Sequence, residues 1–137
     1  MLPRISLILL LFVTTHAPAL AQEPVSQLIE KWYSALASGD RQAFSDILSD
    51  NARIRLEDLE IEQNKQEFIE SLDEWENAMR GSTITHRIEE MGQTSASVLV
   101  CYRFPDNELF GREAFRVANG QIVESAQSSI SESCEVF

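Results

Sequence analysis

Apolar residues first recur along this chain at helical spacing. Val25, Leu28, Ile29, Trp32 and Leu36 fall on one stripe, and Gly39 stands where a helix ends in the left-handed region. Asp40 is placed to cap a short second helix carrying Phe44, Ile47 and Leu48. Residues 51–56 then alternate, with Ala52, Ile54 and Leu56 on one face of a strand. A third helix starts at Asn64, where Glu67 three residues on completes a capping-box pair. Its inner stripe is Phe68, Leu72, Trp75 and Met79, and Gly81 closes it.

From Ser82 the period changes to two, and four strands follow at 83–90, 95–104, 109–117 and 121–130. Asp106-Asn107 and Asn119-Gly120 are two-residue hairpin signals. Pairing Pro105 with Glu108 sets Val100 opposite Glu113 and Cys101 opposite Arg112. Pairing Ala118 with Gln121 sets Glu113 opposite Ala126 and Phe115 opposite Glu124. One face then collects Val98, Val100, Tyr102, Phe115, Ile122 and Ala126, with Glu113 and Glu124 among them. The other collects Cys101, Arg103, Arg112, Arg116, Ser125, Gln127 and Ser129. Helices must cover the apolar face. The expected fold is α+β: three N-terminal helices packed on a curved antiparallel sheet that forms a cone.

The segment before the first helix has a different character. Arg4, an apolar run from Ile5 to Val13, and Ala19-Leu20-Ala21 make a secretory signal cleaved after Ala21. The apolar run is too short to span a membrane, so no stable anchor is expected once the signal is removed. The expectation is an exported protein, periplasmic or secreted, whose single domain is 22–137. Two cysteines fit an oxidising compartment. A Cys101–Cys134 bond requires the tail at 131–137 to bend back across the sheet, and the sequence leaves bonded and free thiols equally open.

The chain has 137 residues and a formal charge of −11. This balance argues against nucleic acid as a partner, because phosphate binding needs clustered Lys and Arg. Nine acids lie between Glu57 and Glu76 with Lys65 as the one base, which reads as a solvated helix face. No His or Cys spacing suits a metal, and no cofactor motif is present in the sequence.

Trp32-Tyr33-Ser34-Ala35-Leu36-Ala37-Ser38-Gly39-Asp40, followed by Phe44, Leu48 and Ser49-Asp50-Asn51-Ala52, resembles the opening of the nuclear transport factor 2-like superfamily. Asn64 to Phe68 and Phe115 to Gly120 resemble its third-helix start and its late hairpin. The superfamily includes ketosteroid isomerases and SnoaL-like polyketide cyclases. The resemblance implies a conical pocket, lined here by Trp32, Tyr33, Leu56, Trp75, Val100, Tyr102, Glu113, Phe115 and Glu124. It also implies that Glu113 stands where the isomerases keep a carboxylic acid as an oxyanion donor. Their helical tyrosine falls at Trp32, and their general base falls at Leu56, which has no proton chemistry.

His86 is the one histidine beyond the signal. A bulged turn near Gly92 aims it at the pocket, whereas a two-residue turn aims it outward. A half-buried strand histidine is the plainer reading. The expected function is binding of a small apolar or amphipathic ligand. One alternative is isomerase, cyclase or dehydratase chemistry at Glu113 with His86 or Tyr102. Another is association through the arginine-bearing sheet face, as a homodimer.

Overall fold

The computed structural model describes residues 24–137, and the expected signal at 1–21 lies outside them. Helix α1 is Val25–Ser38 and helix α2 is Arg41–Ile47. Between them Gly39 takes φ 64°, and its N–H donates to the Ala35 carbonyl. Asp40 accepts from the Ala43 N–H at 3.0 Å, as a cap should. Helix α2 ends at Ile47, because Leu48 already belongs to strand β1, Leu48–Leu56. A single 3₁₀ turn, Glu57–Leu59, leads into β2, Ile61–Asn64. Helix α3, Lys65–Met79, opens with the complete Asn64/Glu67 capping box. The remaining strands are β3 Thr83–Met91, β4 Ser95–Arg103, β5 Glu108–Ala118 and β6 Gln121–Ser131.

The six strands form one curved, unclosed sheet in the order β2-β1-β6-β5-β4-β3. The sheet is mixed, since β1 runs parallel to β6 and every other pair is antiparallel. The three helices cover its concave face. Trp32 centres the core there, edge-on to Phe44 and Phe115 and stacked on Phe68 at 5.4 Å. The Trp75 indole donates to the Leu36 carbonyl at 2.8 Å and so ties α3 to α1.

Register departs from the sequence expectation in two hairpins. Arg103 pairs with Glu108 around a four-residue loop, so Glu113 faces Val98, and Val100 faces Gly111. That shift is even and leaves each residue on its expected face. The β5/β6 hairpin keeps Ala118 opposite Gln121, but a bulge at Val123 follows. Val117 pairs with Ile122, whereas Arg116 pairs with Glu124. One extra residue reverses every face beyond it. Ser125, Gln127 and Ser129 therefore share the face of Phe115 and Glu113, while Glu124 and Ala126 turn to the convex side. A bulge between Ile88 and Glu90 sets His86 opposite Val100, on the helix-covered face.

On the convex side the chain end folds back over the sheet. Cys101 and Cys134 are disulfide-bonded with Cα atoms 5.9 Å apart. They form a second apolar cluster with Leu99, Phe110 and Phe137. The Arg87 guanidinium lies 5.2 Å over the Phe137 ring. The face expected to pair two copies is thus the one that carries the C-terminus.

Candidate functional site

A cavity of about 640 Å³ opens between the helices and the concave sheet. Trp32 and Leu36 reach it from α1; Phe68, Leu72 and Trp75 from α3; Ile54 and Leu56 from β1. Exposure orients it. Trp32, Tyr102 and Glu113 are 2–3% exposed and mark the inner end, whereas Leu59 at 66% and Ile61 at 43% mark the mouth.

Glu113 is the chemical exception in this wall. Strand alternation puts its carboxyl between Gly111 and Phe115 on the concave side. Burial pushes its pKa from 4.5 up to about 7, against the downward pull of donors from Tyr102, Tyr33 and Trp32. The Tyr102 hydroxyl donates to Glu113 Oε1. Burial also pushes both phenols, Tyr33 and Tyr102, upward, so each stays a donor through the physiological range. Trp32 Nε1 and Tyr33 Oη are buried and make no hydrogen bond of normal geometry among the described residues. The inner end is therefore a donor-rich corner around one acid that changes protonation near neutrality. Such an acid can donate to a carbonyl or hydroxyl oxygen when neutral, and accept a proton when ionised.

Of the nine residues expected to line the pocket, Trp32, Leu56, Trp75, Tyr102 and Glu113 do so. Tyr33, Val100 and Phe115 are buried behind the wall as core. Glu124 is a correction: the Val123 bulge sends it to the convex face. There Arg116 donates to it at 2.6 Å, and Arg55 does so from β1. These guanidiniums, Arg116 first, hold its carboxyl below the usual carboxylate range. His86 does not reach the cavity. Its ring stacks on Tyr33 at 4.2 Å, and Nε2 lies 3.0 Å from Glu30 Oε1. Glu113 and Tyr102 are brought together; His86 is held apart from them by Tyr33.

Sequence reasoning missed the mouth. Asp58 lines the cavity, where its carboxylate accepts from the Ser129 N–H at 2.5 Å. Ile61 and Gln63 come from the unforeseen strand β2, and Gln127 and Ser129 come inward through the bulge. The apolar pair Leu59 and Ile61 inside an acidic run was the one available signal.

The cavity, its single inner acid and the helices over a mixed, open sheet define an α+β cone protein with an internal pocket. Solved structures share this architecture. A proposed ketosteroid isomerase from Kribbella flavida superposes with a TM-score of 0.68 at 18% identity, over 77% of this chain and 76% of that one. The proposed polyketide cyclase IdmH from Streptomyces antibioticus gives 0.67 at 18%, over 76% and 90%. A nuclear transport factor 2-like protein of unknown function from Cytophaga hutchinsonii gives 0.63 at 12%, over 80% and 93%. The chain has the nuclear transport factor 2-like fold. No family model matches it, and no curated protein matches it in sequence.

Proposed function

We propose that this chain binds a small, mainly apolar molecule in the cavity, with one oxygen-bearing group addressed to Glu113. The observation that carries this reading is a carboxyl 2% exposed on an otherwise apolar inner wall, with its pKa near 7. A buried acid costs several kcal/mol to keep unless it has work for its hydrogen bonds. Fluorescence titration with 2-naphthol and naphthalene tests the idea. One added hydrogen bond in the cavity should favour the naphthol by roughly fivefold, and Glu113→Ala should remove that margin. Equal affinity for the two, or no binding of either, would sink it.

Proton-transfer chemistry is the second reading. It is favoured by a second carboxylate, Asp58, on the same cavity: Ser129, to which it is bonded, lies two residues, roughly 7 Å, along β6 from the partner of Glu113. Glu113 with Tyr102 would then polarise a carbonyl oxygen while Asp58 removes an adjacent proton. Deuterium exchange at the α-carbon of 2-tetralone, measured by NMR, reads this directly. Exchange no faster than buffer alone leaves binding as the activity. We further propose that the chain works after export, a reading supported by its disulfide; the N-terminus of the secreted form should be Gln22.

A further inference from the structure

We propose that the molecule held in this cavity carries two oxygen functions about 5 Å apart at its inner end, one bound by Glu113 and the other by the Gln127 carboxamide. The inference rests on reading the cavity as a ligand pocket and adds the class of ligand: an apolar body with hydroxyl or carbonyl groups in a 1,3 relationship. Gln127 is the direct cross-strand partner of Glu113, and both line the cavity. Glutamate and glutamine side chains have equal length, so a facing pair presents its two heads at the same depth.

The register continues this row across the sheet. Beyond Gln127 it meets Leu56 on β1 and then Ile61 on β2, and both line the cavity. Two polar heads therefore stand side by side at one end of the row. Apolar wall covers the remaining two strand spacings, roughly 10 Å, out to the exposed Ile61 at the mouth. An amphiphile laid along the row matches it when both of its oxygens are inside and its apolar body points outward.

A half-buried carboxamide on a strand is often no more than a tolerated polar residue. Two observations set Gln127 apart. The Val123 bulge turns it inward, since a regular β6 would place it on the convex face. Its side chain has one partner among the described residues, Tyr102: burial raises that phenol's pKa, and a hydrogen bond from Gln127 pulls the other way. Tyr102 in turn donates to Glu113. The phenol oxygen thus lies between the two heads and holds them two hydrogen bonds apart, about 5 Å. With its amide directed at Tyr102, Gln127 keeps its carbonyl oxygen to accept from a ligand hydroxyl, and neutral Glu113 can donate to the second oxygen. Ser71, also on the wall, offers no such site, because its hydroxyl donates to the Phe68 carbonyl at 2.6 Å.

The test is fluorescence titration at about pH 6, where Glu113 is mostly protonated. 1,3-Dihydroxynaphthalene has the required spacing, the 2,3-isomer is shorter and the 2,7-isomer longer, and 2-naphthol carries one oxygen. The 1,3-isomer should bind roughly fivefold tighter than 2-naphthol, and the other two diols should gain less than about twofold. Gln127→Met keeps the side chain's length and removes its hydrogen-bonding head. That margin should vanish in the variant, while 2-naphthol keeps its preference over naphthalene through Glu113. Diols that bind no tighter than 2-naphthol overturn the second oxygen and leave the pocket reading standing. An equal gain for the 2,3- or 2,7-isomer overturns the spacing. A 1,3-margin that survives in Gln127→Met overturns the assignment to that residue. Should the variant fail to fold, the isomer comparison on the unaltered protein still decides the spacing. Binding of none of these compounds overturns the pocket itself, and this proposal with it.

Discussion

Tyr102 and Glu113 are hydrogen-bonded although they are not cross-strand partners. Glu113 pairs with Val98, and Tyr102 pairs with Leu109. Both point into the concave side, where the curve of the sheet lets the long phenol reach back along the cavity to the acid. The bond stabilises the ionised carboxylate against a desolvation that favours the neutral acid, and burial is the larger effect.

That balance makes the protein's stability fall as pH rises. A folded-state pKa of about 7 lies above the ordinary 4.5, so the folded chain keeps a proton that the unfolded chain has released. The contribution is fully present below pH 4.5 and is lost as pH climbs through 7. At about 1.4 kcal/mol per unit, it is on the order of 3 kcal/mol. Glu113→Gln keeps a neutral side chain and should flatten this slope. Urea unfolding at pH 5 and pH 8 measures it, and parallel curves for the two proteins would refute the assignment.

Tyr102→Phe separates the two forces. Removing the donor leaves desolvation unopposed by this bond, so the Glu113 pKa should rise further above 7. The variant should lose roughly 1.5–3 kcal/mol at pH 8.5, where the carboxylate is charged, and less at pH 5. Carbon-13 NMR of the Glu113 carboxyl gives the midpoint, and a downward shift would contradict the account.

Much of this architecture is legible in the residues because local signals agree with one another. Gly39-Asp40, the Asn64/Glu67 box and Asn119-Gly120 each fix a boundary by backbone chemistry. Strand β2 carries no such signal: Ile61–Asn64 is four residues long and exposed over most of its length, so no buried alternation marks it. Asp58 stays hidden for the same reason, since the 3₁₀ turn that aims it inward depends on that strand. The bulge at Val123 is silent as well. Residues 121–125 read as ordinary strand, and the choice between Glu124 and Ser125 opposite Phe115 is made by tertiary context. Arg55, 69 residues away, offers Glu124 an ion pair on the convex face. Glu113 was legible as a pocket acid because no bulge lies between it and the β4 turn.

The Cys101–Cys134 bond closes a 33-residue span and pins the C-terminus onto the sheet. Chain-entropy reasoning gives roughly 3–4 kcal/mol for a loop of that length. The double variant Cys101→Ser/Cys134→Ser should lose stability of that order, with further loss from a hydroxyl placed where Cys101 is fully buried. Chemical denaturation of the unaltered protein with and without reductant should show the same gap. Equal midpoints would mean that the tail holds through Phe110, Phe137 and Arg87 alone.

Two single-residue deletions distinguish the bulge from the faces it sets. Deleting Val123 makes β6 regular, yet it leaves Ile122 inward, Glu124 outward and Ser125 inward, as they already stand. Deleting Ser125 also makes the strand regular and keeps Ala126 onward in place. It differs in one respect: Glu124 now stands inward opposite Phe115, at a site where Ser125 is 1% exposed. That change buries a carboxylate and breaks its pairs with Arg55 and Arg116, at a cost of several kcal/mol. The Val123 deletion should therefore fold with a lowered melting temperature and keep its cavity, while the Ser125 deletion should fail to give a cooperative transition by circular dichroism. Similar behaviour of the two would mean that the strand tolerates either face, and that the inward set of Ser125, Gln127 and Ser129 is not what holds β6 in register.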